Sequence, residues 1–436
     1  MIAPTLERAR RRLSDASLIQ VDGLVTQVVG LIIESKGPNA KIGDVCLLHP
    51  QNGPGLPAEV VGFRGDRTLL MPLGELSGIR AGCRVQATGR CLQVPVGEHM
   101  LGRTVDGLGN PIDGLGSLDT FETYPAFSTP PNALDRTMIC EPIETGVRAI
   151  DSMLTIGVGQ RMGIFAGSGV GKSTLLGMIA RNCSADVNVI ALIGERGREV
   201  REFITNDLGP QGLERSIIVC ATSEQPALVR IKAALTATAI AEYFRDQGKS
   251  VLLMMDSVTR FCMAQREVGL AVGEPPATKG YTPSVFALLP RLMERAGTSD
   301  KGAITALYTV LVEGDDTNEP VADAARSILD GHIVLNRALT SRGHYPPIDV
   351  LESLSRVMPM VTEKEHLSAA ATVRERLATY KDVEDLVSIG AYKPGSNPKA
   401  DLAIEMWEPI NGFLKQDKAE YEPLQSSISR LMELSR

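Results

Sequence analysis

The sequence predicts a multidomain α/β protein, with a β-rich N-terminal domain, a central domain of alternating strands and helices, and a helical C-terminal domain. Three observations predict this order in the 436-residue chain. Short runs of Val, Ile, Leu and Thr, separated by turn residues, fill positions 20–95. From about position 140, apolar strand-like runs alternate with helical segments. Helix-forming runs without a β-type run fill positions 362–436.

The first domain, 20–95, is predicted to be a small closed or nearly closed β-barrel. Its runs include GLVTQVVGLIIES, AEVVGFRGDRTLLMPLG and CRVQATGRCLQVPVG, and it contains no recognisable catalytic constellation. The preceding segment, 1–19, is basic, and its arginines at positions 8, 10, 11 and 12 suit a short helix. That helix is either a solvated terminus or a contact for a partner or for anionic lipid headgroups.

The central domain, 96–361, is predicted to contain a largely parallel sheet. Five strand candidates read RMGIFAG, VIALIGE, SIIVCAT, VLLMMDS and ITALYTVLV, with helical segments between most of them. Before them, a glycine-rich stretch at 101–116 and a proline-bearing stretch at 124–136 are typical of an irregular connector between domains.

Composition excludes several classes of protein. The net charge of −7 and the aromatic content of 4% argue against a nucleic-acid binder, which would present a basic face with stacking aromatics. The 7 cysteines include no CxxC pair, which favours buried reduced thiols over zinc sites or disulfides. No apolar run approaches the roughly 20 residues that span a bilayer, and no signal core follows the N-terminal arginines. We therefore expect a cytoplasmic protein, which can still lie on a membrane surface.

The stretch IFAGSGVGKSTLLGMIA, 164–180, predicts a phosphate-binding loop between a strand and a helix. Glycines let the backbone approach phosphate oxygens, and the start of the helix adds its positive end. Lys172 can reach the β- and γ-phosphates, and the Ser173 hydroxyl suits Mg²⁺. The predicted nucleotide-binding residues of the loop are Gly167, Ser168, Gly169, Val170, Gly171, Lys172, Ser173 and Thr174.

Hydrolysis needs a magnesium anchor, a group that orients water and positive charge for the transition state. Asp256 ends the apolar run VLLMMDS and suits the anchor, although a structural cap is an alternative. Glu195 ends the run VIALIGE and Arg196 follows it, at the sheet edge where α/β proteins bind ligands. Glu195 is the candidate for polarising water and Arg196 for touching the γ-phosphate, whereas Glu199 and Arg201 suit a solvated helix face.

One further arginine, Arg356 in VLESLSRVMP, is either structural or an arginine finger that acts across a subunit interface. In the second case the activity depends on oligomerisation.

Together, AGSGVGKST, IGERGREVREF, LLMMDSVTRF, GEPPATKGYTPSVFALLPRLMERAG, ARSILDGHIVL and HYPPIDVLESLSRVMP resemble the export ATPases of bacterial type III secretion. The resemblance covers nearly the whole chain, and VVGLIIESKGP and LVSIGAYKPGS favour the flagellar branch. It implies a RecA-like ATPase core, a relative of the rotary ATP synthase catalytic subunits, that binds ATP with Mg²⁺ and works as a homohexamer.

The resemblance also implies roles for residues and partners. It places the phosphate-loop lysine, magnesium serine and Walker-B aspartate at Lys172, Ser173 and Asp256. It places the catalytic glutamate and adjacent arginine at Glu195 and Arg196 and the trans arginine finger at Arg356, while Tyr345 packs on adenine or lies in an interface. Implied partners are the membrane-embedded export gate, contacted peripherally at the cytoplasmic face of the inner membrane, stalk or regulator proteins, and chaperone–substrate complexes; no nucleic acid is implied.

Four alternatives remain open. A rotary ATP synthase subunit would carry an acidic DELSEED-type lever, where this chain has only scattered charge such as DVEDL. An RNA-translocating terminator ATPase would need stacking aromatics in the barrel, where Phe63 is the only aromatic residue between 20 and 95. A non-catalytic ring component would often lack the glutamate that stands at position 195. The ATPase of a virulence type III secretion system (injectisome) shares the whole catalytic core.

Overall fold

The computed structural model describes residues 21–118, 120, 122–312 and 319–436, so the predicted basic segment 1–19 lies outside the described residues. The chain divides into two compact units, with the division between Leu92 and Gln93. Each unit has its own sheet and its own buried core.

The first unit is a closed barrel of six antiparallel strands, as the alternation of apolar runs and turns predicts. Around the barrel the strands follow the order β1, β2, β5, β4, β3, β6, and β6 pairs with β1 to close it. Small and branched side chains from alternate positions, among them Val25, Cys46 and Leu70, fill the interior. The strands are β1 (Gly23–Val29), β2 (Ile32–Lys36), β3 (Asp44–His49), β4 (Leu56–Arg64), β5 (Arg67–Pro72) and β6 (Arg84–Cys91).

The second unit is built on a nine-stranded sheet whose backbone path runs β19, β18, β12, β17, β15, β13, β14, β8, with β16 paired to β17. All five predicted strands are present as β12, β13, β14, β15 and β17, and they pair in parallel. The antiparallel pairs are β18–β19 and β16–β17. The remaining strands of this unit are short and pair as β7–β9 and β10–β11.

The strand bounds in the second unit are as follows: β7 (Gln93–Pro95), β8 (Thr104–Asp106), β9 (Thr123–Pro125), β10 (Pro142–Ile143), β11 (Ile156–Gly157), β12 (Arg161–Ala166), β13 (Val187–Ile193), β14 (Ser216–Ala221), β15 (Ser250–Asp256), β16 (Gly297–Thr298), β17 (Ala303–Leu311), β18 (Gly331–Leu335) and β19 (Ile348–Ser355). Every residue of β13 and β14 is buried. Strands covered on both faces have no polar face, which is why these runs lack apolar–polar alternation.

The glycine-rich connector is more regular than predicted. Its residues Thr104–Asp106 form β8, which pairs in parallel with β14 at one edge of the sheet. The Asp106 carboxylate accepts hydrogen bonds from the backbone amides of Leu108 and Asn110, both 2.8 Å long, and so closes the following turn. Turn chemistry was visible in the sequence, but a three-residue strand stabilised by a neighbouring strand was not.

The helices flank this sheet and fill the C-terminal region. They are α1 (Arg148–Met153), α2 (Lys172–Asn182), α3 (Gly197–Glu202), α4 (Gly209–Glu214), α5 (Ala227–Asp246), α6 (Val258–Val272), α7 (Pro283–Met293), α8 (Pro320–Ile328), α9 (Arg337–Ser341), α10 (Met358–Val361), α11 (Lys364–Ser388), α12 (Pro398–Leu414) and α13 (Leu424–Ser435). A π-helical turn, Phe203–Leu208, joins α3 to α4, and 3₁₀ turns occur at Glu98–Met100, Ala133–Asp135 and Thr278–Gly280.

The C-terminal helices α11, α12 and α13 pack on one another, and no strand occurs among residues 362–436, as predicted. Tyr380 of α11 stacks on Trp407 of α12, with ring centroids 4.1 Å apart. Arg148, at the start of α1, links α1 to this C-terminal region. Its side chain is buried and donates to Glu422 at 2.5 Å and to the carbonyl of Phe413 at 2.9 Å.

The 7 cysteines form no disulfide, and five of them are buried, as expected for reduced thiols. Cys140 is exposed and Cys91 is half-buried, so the prediction of buried thiols is wrong for these two. Within the described part of the chain, no helix combines the length and the apolar character needed to cross a membrane.

Candidate active site

The predicted phosphate loop lies between β12 and α2. Gly169 and Gly171 have φ angles of 76° and 103°, a region that glycine adopts without strain. A side chain built at Gly169 would meet no atom within 4 Å, so the space in front of the loop is open. The amide groups of the first turn of α2 have no intrahelical acceptor, which makes this end of the helix suited to an anion. Of the eight predicted residues, 167–171 form the loop between β12 and α2, and 172–174 form the first turn of α2.

A short helix holds the loop from one side. Arg337, the first residue of α9, donates from Nη2 to the carbonyl oxygen of Ser168 at 3.0 Å. Thr340 of the same helix donates from its hydroxyl to the carbonyl oxygen of Val170 at 3.4 Å. Tyr345, the predicted adenine contact, follows α9 by four positions. The same segment therefore holds the loop and carries Tyr345.

Three charged side chains meet at the base of the loop. The Lys172 ammonium forms an ion pair with Asp256 Oδ1, and it lies 3.4 Å from Glu195 Oε1. Lys172 is the first residue of α2, Asp256 is the last residue of β15, and Glu195 is the second residue after β13. Because parallel strands end at the same edge of a sheet, the fold brings together groups separated by 23 and 84 positions along the chain.

The environment of the cluster shifts two pKa values. Burial lowers the pKa of Lys172, but the charges of Asp256 and Glu195 and the hydrogen bonds to them outweigh it, so the net shift is upward. Burial raises the pKa of Glu195, and the charge of Asp256 and a hydrogen bond with Glu199 add to that rise, while Lys172 opposes it. The lysine is therefore held as a cation, and Glu195 holds a proton more readily than an ordinary glutamate.

Glu195 follows a tight backbone turn. Gly194 has a φ of 70°, and a side chain there would come within 3.0 Å of Arg260 Cβ. Both facts restrict the position to glycine. The carbonyl of Glu195 accepts from the Ser223 amide at 3.0 Å, which fixes its backbone beside the end of β14.

Ser173 and Asp256 are the predicted magnesium ligands. Ser173 is exposed in the first turn of α2, and Asp256 is buried at the end of β15. The described part of the chain has no cluster of three or more His, Cys, Asp and Glu side chains that could hold a metal ion. A hydroxyl and a carboxylate are hard oxygen donors, and Mg²⁺ commonly takes one or two protein ligands and completes its shell with water and phosphate oxygens. The donors present therefore fit Mg²⁺ bound together with a nucleotide.

Tyr345 borders a cavity of about 290 Å³ beside the loop. The other walls come from Gly171 and Thr174 in the loop, from the first turns of α2, and from Gln416. The Gln416 amide donates to the Tyr345 carbonyl at 2.8 Å, so the C-terminal region supplies one wall. Tyr345 is about half exposed, at 49%. An exposed aromatic ring beside a phosphate loop suits stacking with a base.

The two predicted arginines lie apart from the cluster. The Arg196 side chain is 81% exposed and lies 3.6 Å from Glu199. Arg356 is exposed just after β19, where its amide donates to the carbonyl of Asp330 at 3.0 Å and its Nη1 donates to the carbonyl of Leu329 at 3.3 Å. The structure does not bring either guanidinium to Lys172, so their roles toward a phosphate stay predictions.

Sequence reasoning missed three contacts of this site. Thr309 of β17 donates to Asp256 Oδ1 at 2.8 Å, Arg337 holds the loop, and the Arg148 backbone amide donates to Gln416 Oε1 at 2.8 Å. The run ITALYTVLV contains two threonines, Thr305 and Thr309, and the sequence does not distinguish which of them contacts Asp256. The arginines left no comparable local signal.

Family models match the chain in three consecutive parts. The beta-barrel domain of the ATP synthase alpha/beta family matches residues 25–89, and the nucleotide-binding domain of that family matches residues 146–355. The T3SS EscN ATPase C-terminal domain matches residues 362–433. The three matches follow the barrel, the sheet with its phosphate loop, and the C-terminal helices.

Similar proteins carry both flagellar and secretion names. The flagellum-specific ATP synthase of Bacillus subtilis is 57% identical over 95% of this chain and 95% of its own length. The type 3 secretion system ATPase of Xanthomonas euvesicatoria is 50% identical over 99% of this chain and 97% of its own length. The assembled ATPase EscN of enteropathogenic E. coli superimposes with a TM-score of 0.90 at 47% identity, covering 95% of this chain and all of EscN. The chain thus belongs to the type III secretion ATPases of the ATP synthase alpha/beta family, and it is an ATPase.

Proposed function

We propose that this chain powers a flagellar type III protein export apparatus, as a homohexamer in which Arg356 of one subunit completes the active site of its neighbour. ATP hydrolysis would assist the release of substrates from chaperones, their unfolding and their entry to an export gate. In this proposal the protein lies in the cytoplasm, peripherally at the inner membrane, and contacts the gate and a stalk or regulator protein. An assembled form of EscN, alone and with its central stalk EscO, supports the ring and the stalk partner.

The observation that carries the proposal is the position of Arg356. The side chain is exposed, and its hydrogen bond goes to a backbone carbonyl of Leu329 rather than to a carboxylate. A guanidinium in such a position keeps most of its donors for another molecule. Because it lies apart from Lys172 of its own chain, we assign it to the phosphate of a neighbouring subunit.

Within one subunit, the remaining groups divide the chemistry. Lys172 binds the β- and γ-phosphates and exchanges its two carboxylate partners for phosphate oxygens. Glu195, freed from the lysine, orients and polarises a water for in-line attack. Arg196, exposed at the start of α3, turns toward the γ-phosphate. Ser173 and Asp256 would hold Mg²⁺, which when bound supplies charge neutralisation at the phosphate oxygens. The cavity beside Tyr345 takes the adenine.

The flagellar assignment is supported by two flagellum-specific relatives, while two others, from Pseudomonas aeruginosa and Salmonella typhimurium, are 49% and 50% identical. Two flagellum-specific ATP synthases, from Bacillus subtilis and Treponema pallidum, are 57% and 52% identical, and the type 3 secretion system ATPase of Xanthomonas euvesicatoria is 50% identical. The difference is small, so the injectisome ATPase is the alternative. Deletion of the gene in the bacterium that carries it separates them. Loss of motility and of flagellar filaments supports the proposal, and loss of effector secretion with intact motility contradicts it.

The shared site is tested by mixing two inactive variants. Arg356→Ala lacks the finger, and Glu195→Gln lacks the water-orienting carboxylate. In a mixed ring, some interfaces combine an intact Glu195 with an intact Arg356 from its neighbour, so turnover returns in the mixture. Arg356→Ala alone should be slower than the parent chain by about a thousandfold or more, the lower end of the range for an arginine finger. Glu195→Gln alone should lose hydrolysis.

The matched control is Arg64→Ala, which removes an exposed arginine that pairs with Glu34 in the barrel. This variant should keep the parental rate, and a mixture of Glu195→Gln with Lys172→Ala should stay inactive if both residues serve the same site. An Arg356→Ala mixture with Glu195→Gln that shows no recovery, despite rings of mixed composition, contradicts the role in trans.

A further inference from the structure

Thr309 is one of three buried hydroxyl-bearing residues of its strand, with Thr305 and Tyr308. It lies in β17, AITALYTVL, and its exposed fraction is 0%. β17 runs parallel to β15, and the register pairs Tyr308 with Met255. Thr309 follows Tyr308 in β17, and Asp256 follows Met255 in β15. The register therefore places the Thr309 hydroxyl beside the Asp256 carboxylate at the end of β15.

The hydroxyl of Thr309 has two acceptors within reach. Asp256 Oδ1 lies 2.8 Å away and the carbonyl oxygen of Met255 lies 3.2 Å away. One hydroxyl has one proton, and the charged and nearer acceptor forms the stronger bond. Asp256 Oδ1 is also the atom that pairs with Lys172. Two donors from different elements thus converge on one carboxylate oxygen, which leaves Oδ2 free of them.

The two donors differ in what happens when a nucleotide binds. Lys172 lies at the start of α2, on the phosphate loop, and phosphate oxygens compete for its ammonium. Thr309 lies within the sheet, in a strand paired on both sides, and has no such competitor. When the lysine turns to the phosphates, the Thr309 hydroxyl still holds Asp256 Oδ1.

We propose that Thr309 is a positioning residue for ATP hydrolysis, which fixes the Asp256 carboxylate in the orientation that receives the magnesium–nucleotide complex. This rests on the magnesium role of Asp256 in the proposed function. A purely structural role, in which the hydroxyl only bonds to the Met255 carbonyl, predicts a loss of stability and no change in magnesium dependence.

The test is a magnesium titration of nucleotide binding with the full-length chain and a fluorescent ATP analogue. Thr309→Val keeps the shape and removes the hydroxyl, and Thr309→Ser keeps the hydroxyl. We expect Thr309→Val to need roughly tenfold more Mg²⁺ for half-maximal response, in line with the loss of one hydrogen bond to a charged group. Thr309→Ser should respond as the parent does, and binding in excess EDTA should be the same for all three.

Thr305 provides the matched control. It lies four positions earlier in β17, it is also buried, and its hydroxyl accepts from the Gly159 amide rather than contacting Asp256. Thr305→Val should lower the melting temperature without changing the magnesium midpoint. Thr309→Ala supplies a second hydroxyl-free variant, with less bulk in the sheet, if Thr309→Val does not fold.

Three results overturn the proposal. The first is a parental magnesium midpoint for folded Thr309→Val or Thr309→Ala. The second is a midpoint of Thr309→Ser that shifts as far as that of Thr309→Val. If either result occurs while Asp256→Asn still needs more Mg²⁺ for half-maximal response, only the role of Thr309 is wrong. The magnesium role of Asp256 then stands. The third is a parental midpoint for Asp256→Asn itself, which overturns that role in the proposed function as well.

Discussion

Lys172 of the phosphate loop forms an ion pair with Asp256 at the end of β15. The pair joins the group expected to seek phosphate with the group expected to support magnesium, and Glu195 lies 3.4 Å from the same ammonium. The single positive charge of the lysine thus offsets part of the repulsion between the Asp256 and Glu195 carboxylates. Phosphate oxygens of a bound nucleotide would compete with these carboxylates for the three N–H donors of the ammonium.

Lys172→Ala should reduce turnover by at least about a hundredfold, since it removes a positive charge from the transition state. The change also leaves Asp256 and Glu195 without their shared cation, so nucleotide binding should weaken. Steady-state ATPase rates and equilibrium binding check both effects. Lys399→Ala, which removes an exposed lysine paired with Glu375 on the C-terminal helices, is the control and should behave as the parent. Near-parental turnover of Lys172→Ala contradicts the assignment.

Glu195→Gln should keep ATP binding and lose hydrolysis. The amide has nearly the same shape as the carboxylate, but it is a much poorer acceptor for the proton of the attacking water. Binding should even tighten slightly, because a negative charge near the γ-phosphate is removed. Affinity measured by equilibrium binding and single-turnover hydrolysis separate the two effects. If this variant hydrolyses ATP at the parental rate, Glu195 is not the water-orienting group.

The rate should fall in acid through the titration of Glu195. Burial, the charge of Asp256 and the hydrogen bond with Glu199 raise its pKa, so protonation begins at a higher pH than for an ordinary glutamate. The protonated acid cannot polarise water, so the rate declines as the pH falls through that pKa. Glu199→Gln removes one cause of the rise and can donate to Glu195, so the acid limb of kcat should move to lower pH with an unchanged plateau.

ATP itself titrates in acid, and this affects the parent chain and Glu199→Gln equally. A difference between the two pH profiles therefore comes from the protein. A limb that stays in place, or that moves to higher pH, shows that another group governs the decline. Rates at saturating ATP across pH 5 to 9 are sufficient for this test.

Tyr345→Ala should weaken ATP binding by about tenfold or more, because base–aromatic stacking contributes about 1–3 kcal/mol. Tyr345→Phe retains the ring and should bind as the parent does. The maximal rate should change little, since the ring lies beside the cavity and not beside Glu195. KM and kcat measured for both variants check this. Equal affinity of the alanine and phenylalanine variants contradicts stacking and favours an interface role for the residue.

Local sequence patterns predicted the parts of the site that depend on neighbouring positions. The phosphate loop needs glycines, a lysine and a hydroxyl within one turn, and β15 is an apolar run that ends in an acid, so Lys172 and Asp256 could be assigned from sequence. The barrel and the five parallel strands were predictable for the same reason, since turns and apolar runs are local signals.

The rest depends on pairings that no local pattern specifies. Thr309 contacts Asp256 because β17 lies beside β15 in the sheet. The sequence does not show which strands are the neighbours of β15, which are β17 and β13. Arg148 reaches the C-terminal region across more than 260 positions. β8 forms only because β14 offers it an edge. Each requires the three-dimensional order of the strands, which periodicity and composition do not contain.

The central claim is an active site shared between subunits, and the most direct test is the ATPase rate per chain as a function of protein concentration, with the mass determined by light scattering at every point. The account predicts a rate per chain that rises steeply as a species of six subunits replaces the monomer, and that stays low for Arg356→Ala in the same species. A constant rate per chain from a proven monomer would contradict the shared site and the ring mechanism built on it.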